Sequence, residues 1–298
     1  MVRVNDDSGR IARLMWAHFE PIHAVCYFHP RALDSFRAAG LRGYWRGYFA
    51  SRAAPLGAVD AAPVIAAFFG FAPQMVTRAL PHVWEMATPQ EVLRARLIGA
   101  VQALAELTYD QPQDRIAEAA DVLEAAVDRL ELAGRVLGSA NAALPRNESP
   151  LARLWQAATT LREQRGDGHV AALVAAGVHP VEVLAWRAAL DQRREFLQPA
   201  RGWTDEEWAA GRERAIARGW LTADGTPTDR GRAEFQAIED ATDRAAAHPW
   251  RGLDAADVER IDELLDPIGR AARTVLPAEF PLVLPDLPQQ RLATGPAA

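Results

Sequence analysis

The sequence predicts a mostly α-helical protein, and three observations carry that prediction. Long windows such as residues 89–107 (PQEVLRARLIGAVQALAEL) and 114–132 (DRIAEAADVLEAAVDRLEL) repeat apolar residues at three- and four-residue steps among strong helix formers. Alternating β-branched segments are nearly absent. Landmarks also recur in one order at offsets of 107 to 116 residues, the signature of a duplicated unit.

Those landmarks run in parallel. Trp45 stands seven residues ahead of Arg52, as Trp155 does ahead of Arg162. Gly70-Phe-Ala-Pro73 matches Gly177-Val-His-Pro180. Thr88-Pro-Gln-Glu91 matches Thr204-Asp-Glu-Glu207, and both have the form of a capping box, in which hydroxyl and carboxylate satisfy free N–H groups at a helix start. Leu107-Thr-Tyr-Asp110 matches Leu221-Thr-Ala-Asp224, and the pairs Asp128-Arg129 and Asp243-Arg244 close the series. The expected units are 10–136 and 137–275. The alternative is one bundle of similar helices without duplication. Residues 276–298 belong to a stretch with five prolines, which cannot continue a helix and is expected to be an extended arm or a partly disordered tail.

Composition bounds the function. The chain has 298 residues, 33 basic and 39 acidic, for a net charge of −6, and every basic residue is arginine. That balance disfavours strong non-specific DNA binding by the whole molecule. The single cysteine, Cys26, excludes a disulfide framework. No uncharged apolar run reaches the ~18 residues of a membrane span. The first residues lack the apolar core of a signal peptide, so a cytoplasmic location is the default expectation.

Each unit holds a helical corner. In the first, Val64–Phe69 leads through Gly70 and Pro73 into Gln74-Met-Val-Thr77-Arg78. Glycine suits the left-handed end of a helix and proline the first turn of the next. In the second, Leu173, Gly177, Pro180 and Val183 repeat the arrangement. One reading is a helix-turn-helix whose second helix enters a DNA groove, with Gln74, Thr77 and Arg78 as contacts. The other is a tight corner that buries apolar faces. In the second unit, Trp220-Leu221, the Asp224-Gly225 turn and Thr228-Asp-Arg-Gly-Arg232 have the layout of a small β-wing. Arg212, Arg214, Arg230 and Arg232 could lie along phosphates there, or form a solvated face balanced by Asp205, Glu206, Glu207 and Glu213. The expected fold is therefore two tandem winged helix-turn-helix-like units with one small β-wing near 218–232.

A second set of residues suggests a polar pocket between the units. It comprises His23, Tyr48 and Arg52, with Arg162, Arg165, Asp167 and His169 from Leu161-Arg-Glu-Gln-Arg-Gly-Asp-Gly-His169. Gly-Asp-Gly-His reads as a flexible turn ahead of an apolar helix, where free N–H groups favour an anion. A small anionic or polar ligand and a buried hydrogen-bonded network are the two readings of this set. If a reaction occurs, Asp167 and His169 are the weak candidates for an acid–base pair. Signatures of nucleophile elbows, phosphate loops, dinucleotide sites and zinc proteases are missing, so no cofactor is expected. His18, His23 and His29, at steps of five and six, do not share a helix face, and no metal is expected. Cys26 lies in an apolar stretch and reads as a structural thiol.

Across residues 10–275 the sequence resembles a family of actinobacterial helix-turn-helix proteins, MarR-like winged-helix regulators of about this length. The resemblance rests on Glu20-Pro-x-His23, Gly47-Tyr-Phe-Ala-x-Arg52-Ala-Ala-Pro-Leu-Gly57, Leu161–Ala175 and Arg201-Gly-Trp-Thr204. It implies a winged helix-turn-helix fold and DNA binding, and assigns no catalytic residue. Two functions follow as expectations. One is a ligand-responsive transcriptional regulator with DNA, a small ligand and a second copy of itself as partners. The other is a winged-helix scaffold turned to small-molecule binding or catalysis. A basic face around the four arginines would favour the first, and a closed pocket under an acidic exterior the second.

Overall fold

The computed structural model describes residues 8–278, 280 and 282–285. Among them every regular element is helical, as the apolar periodicity predicts. A central bundle begins with α1 (Ser8–Phe28), which buries most of its length. The first lobe follows as α2 (Pro30–Ala38), α3 (Tyr44–Ala53), α4 (Ala61–Phe68), α5 (Pro73–Thr77) and α6 (Val83–Met86). Next come α7 (Pro89–Leu107) and α8 (Gln113–Asp128), short α9 (Val136–Ala142) and long α10 (Pro150–Ala175). The second lobe is α11 (Pro180–Leu190), α12 (Arg194–Arg201), α13 (Asp205–Ala217) and α14 (Asp229–Ala245), and α15 (Ala255–Arg273) returns to the bundle.

Three apolar cores correspond to these parts. The largest joins α1, α7, α8, α10 and α15 around Ile22, Leu104, Ile116, Leu123, Trp155 and Leu265. A second fills the first lobe around Phe49, Phe68, Phe71 and Leu80. The third fills the second lobe around Trp186, Trp208 and Trp220. Since α1 and α10 come from different expected units yet share the central core, the helices of 10–136 and 137–275 are packed together there. The lobes also touch directly. Ala72 N donates to Arg201 O (2.8 Å), Trp203 Nε1 to Gly70 O (3.0 Å), and the Arg201 guanidinium stacks on Phe71.

Local chemistry explains the boundaries. Thr88 and Thr204 each accept from the N–H three residues on, while Glu91 and Glu207 reach back, so both expected capping boxes form. His29 caps α2 by accepting from Arg31 N, with Pro30 at the first helical position. Three expectations need correction. In the first corner the positive φ falls on Phe69 (33°) instead of Gly70, whereas Gly177 (63°) behaves as expected. Gly166-Asp167-Gly168-His169 is no turn but the interior of α10. At Gly168 a Cβ would displace the Arg135 guanidinium and stand 3.1 Å from the Ala245 Cβ, tighter than an ordinary contact.

The third correction concerns the β-wing. Among the described residues there is no strand, and the segment is a tight turn closed by one antiparallel bridge, Leu221 to Pro227. Thr222 N donates to Thr226 O (2.9 Å) and Thr228 N to Trp220 O (3.0 Å). Pro227 has no N–H to extend a ladder, and Asp224 draws in Thr222 and Thr226 from both sides. The expected arm is described only in part. Phe280 packs edge-on against Phe28, and Arg273 donates to Pro285 O. Of 276–298, residues 279, 281 and 286–298 lie outside the described residues.

Candidate functional site

The long helix α10 organises the site. Arg162, Arg165 and His169 are spaced by three and four residues, which puts them on one helical face. All three line a cleft of about 230 Å³. Arg13, Trp16 and Glu20 of α1 form its floor, and Phe235, Glu239 and Thr242 of α14 one wall. Arg187 and Asp191 at the end of α11 and Leu282 of the extended C-terminal segment complete it. The cleft thus lies between two bundle helices and two helices of the second lobe.

Ion pairs tie these walls together. Arg52 holds Glu163 through two parallel bonds, Nε to Oε1 (2.8 Å) and Nη2 to Oε2 (2.9 Å). Arg162 reaches the same Glu163 (3.1 Å) and Glu20 (3.3 Å), and Glu20 also accepts from Trp16 Nε1 (2.9 Å). Asp243 takes Arg165 Nη2 and Arg13 Nε, each at 2.6 Å, joining α14 to α10 and α1. Burial pushes the Glu163 carboxyl up, yet the Arg52 and Arg162 guanidiniums outweigh it and hold it well below the usual carboxylate range.

The remaining expected ligand residues stand outside the cleft lining. Arg52 is buried under Phe68 and bonded to Tyr48 Oη, so it serves the network between lobe and bundle. His23 lies in the core against Thr159 Oγ1 (3.0 Å), and burial keeps its ring uncharged. Asp167 faces away from the cleft and accepts from Gly138 N (2.8 Å) at the start of α9. Burial raises it to about 6. Asp167 and His169, two positions apart on a helix, point to different sides, so the expected acid–base pair is not assembled. Cys26 is fully buried, and burial pushes its thiol up to about 12, which leaves a structural thiol.

His169 gives a pH prediction. Burial, then the Arg187, Arg165 and Arg162 charges, lower its pKa from 6.5 to about 3. A base whose folded pKa is depressed stabilises the fold fully above the unfolded value, and that contribution is lost as pH falls from 6.5 towards 3. Between pH 7.5 and pH 5 the wild type should therefore lose about 1–2 kcal/mol more than His169→Gln. Urea denaturation of both proteins at the two pH values measures this. Equal losses would show that His169 titrates normally.

In the second lobe the spacing of a helix-turn-helix falls at α12 and α13, where the two glycine-proline corners did not put it. Helix α12 ends on Gly202 in the left-handed conformation (φ 76°), and three residues later α13 begins at its capping box. A three-residue turn with glycine is the spacing of this motif. Helix α11, the expected recognition helix, instead buries Val181 through Trp186 and cannot enter a groove. The outward residues of α13 are Asp205, Glu206, Ala209, Glu213 and Ala217. Arg212 donates to Ala223 O in the turn and Arg214 approaches His179, so both are held against the lobe. Arg230 and Arg232, on the first turn of α14, are exposed. In the first lobe, Gln74 donates to Gly202 O (3.1 Å) and Thr77 to Gln74 O, while Arg78 is exposed. The legible signal for the motif was Arg201-Gly-Trp-Thr204 followed by Glu207.

A model of a helix-turn-helix family matches residues 12–277, and the chain belongs to that family. No curated protein and no solved structure matches the chain. Among the described residues no single helix is long and apolar enough to cross a membrane.

Proposed function

We propose that this helix-turn-helix family member is a cytoplasmic, ligand-responsive DNA-binding regulator in which the second lobe meets DNA and the cleft senses a small molecule. The observation that carries the reading is the position of the cleft, with α1 and α10 on one side and α11 and α14 of the helix-turn-helix lobe on the other. A molecule that binds there more tightly in one lobe position shifts the lobe's equilibrium, and only through that difference. The turn at 218–228 takes the place of a wing, and Arg230 and Arg232 beside it supply the phosphate contacts. The duplicated units 10–136 and 137–275 remain part of this reading as helical repeats. The paired capping boxes support them, with the first unit's α7 drawn into the core.

Beside the turn the exposed cations are Arg232 and Arg230, the latter 4.0 Å from Glu234, so binding should be weakly salt-dependent. Two phosphate contacts per chain give a slope of about −2 in log K against log salt, and about −4 for a homodimer. A duplex selected from a random pool and titrated by mobility shift across salt concentrations provides the measurement. A second reading has its own support. Asp205, Glu206 and Glu213 on the outward face of α13 repel phosphate, which favours a small-molecule-binding protein that has lost DNA binding. That reading predicts no shifted complex even at low salt.

A further inference from the structure

The chemistry of the cleft indicates what it holds. The Arg165 side chain is 5% exposed, stacks on Trp16 at 4.6 Å and donates through Nη2 to Asp243. Its Nη1 has no hydrogen-bond partner. A buried donor left unpaired is unfavourable, so an acceptor supplied by a ligand would relieve that cost. His169, one helical turn on, presents the opposite polarity. The Thr242 hydroxyl donates to Ile238 O (2.9 Å), so its oxygen accepts from His169 Nδ1 at 2.9 Å. In the neutral ring that places the proton on Nδ1 and leaves Nε2 as an acceptor. No partner for Nε2 occurs among the described residues.

Charge selects further. The four arginines of the lining, Arg13, Arg162, Arg165 and Arg187, are paired with Glu20, Asp191 and Glu239 of the lining and with Asp243 and the Arg52-bound Glu163 behind it, so the cleft and its immediate network balance at five cations and five carboxylates. A site already neutral gains little from an anion and must desolvate it. Trp16, Phe235 and Leu282 offer apolar walls. The volume falls below the range of about 300–1,000 Å³ that encloses drug-sized molecules, which limits the occupant to one or two rings.

We propose that the cleft binds a small uncharged molecule with a flat apolar body, its carbonyl oxygen on Arg165 Nη1 and a hydroxyl or N–H donor on His169 Nε2. The proposal rests on the reading of the cleft as the sensing site, and narrows the anionic or polar ligand expected from sequence to a neutral one. No covalent step is involved.

Calorimetry on the full chain without DNA tests it, with 4-hydroxybenzamide as probe beside 4-hydroxybenzoate and benzamide. The hydroxyamide should bind saturably, at least about tenfold more tightly than the carboxylate and than the amide lacking the donor. In His169→Phe the advantage of the hydroxyl should vanish. Arg165→Lys keeps the charge beside Asp243 but loses the second N–H group, and should weaken both amides about equally. Thermal melting confirms that each variant is folded, and His169→Phe together with the wild-type probe series decides the matter should Arg165→Lys not fold. Tighter or equal binding of the carboxylate, unchanged binding by His169→Phe, or no saturable binding of the hydroxyamide at millimolar concentration overturns the proposal. Because DNA is absent, such a failure leaves the DNA-binding reading standing, and a failed mobility shift leaves this result intact.

Discussion

Glu163→Ala should destabilise the protein by about 3–5 kcal/mol, the range for removing one partner of a buried ion pair. The side chain of Glu163 is 1% exposed and is the common acceptor of Arg52 and Arg162, so its loss strands the Arg52 guanidinium and halves the pairing of Arg162 at the junction of the first lobe and α10. Arg162 keeps Glu20, but Arg52 keeps only Tyr48 Oη and the faces of Phe68 and Tyr48. Arg52→Ala should therefore be damaging too, since it leaves Glu163 with Arg162 alone. The pair Arg52→Met with Glu163→Leu removes both charges at similar volume and should lie closer to wild type than Glu163→Ala, because a stranded charge is worse than an apolar contact. Urea denaturation of the three variants checks the order. A loss below about 1 kcal/mol for Glu163→Ala would mean that water reaches the pair and that the junction is not sealed.

Gly231→Ala should be the most disruptive small change in the second lobe, at about 3 kcal/mol, the upper end for overpacking. A Cβ at this position would stand 2.2 Å from Trp220 O and 2.9 Å from its carbonyl carbon, both backbone atoms that no rotamer change can move aside. Relief requires the turn to lift away from α14, which breaks the bond from Thr228 N to Trp220 O. It also parts the stacked rings of Trp186 and Trp220, now 4.1 Å apart. Near-ultraviolet circular dichroism should lose the signal of that ring pair while far-ultraviolet helicity largely persists, since the bundle is untouched. A variant with wild-type melting and an unchanged aromatic spectrum would contradict the packing described for the turn.

Much of the fold was legible because it is encoded locally. The helical periods of residues 89–107 and 114–132 and the capping boxes at Thr88 and Thr204 all depend on neighbours within a few positions, and the structure contains each, except that the second helix stops at Asp128, four residues short of the expected end. The β-wing misled because Asp224-Gly225 does encode a turn, while strands need N–H groups that Pro227 cannot provide. Glycines in Gly166-Asp-Gly-His169 suggested a loop, yet Gly168 answers to Arg135, a residue distant in sequence that no local pattern reveals. The site was half legible for the same reason. Arg162, Arg165 and His169 share a helical face through their spacing alone, whereas Trp16, Arg13 and Thr242 join them only through the packing of α1 and α14 on α10. Arg52, chosen with them, belongs instead to the ion-paired junction. The motif across Gly202 was written in Arg201-Gly-Trp-Thr204, but the glycine-proline corners gave stronger turn signals and drew attention to a buried helix.

Amide hydrogen exchange of the full chain, with and without a duplex selected for binding, tests the central claim most directly. The account predicts slowed exchange on DNA at the turn over residues 218–228 and the first turns of α14, where Arg230 and Arg232 stand, with α4 and α5 unchanged. Slowing at Gln74, Thr77 and Arg78 instead, or no slowed segment anywhere in α11–α14, would contradict it.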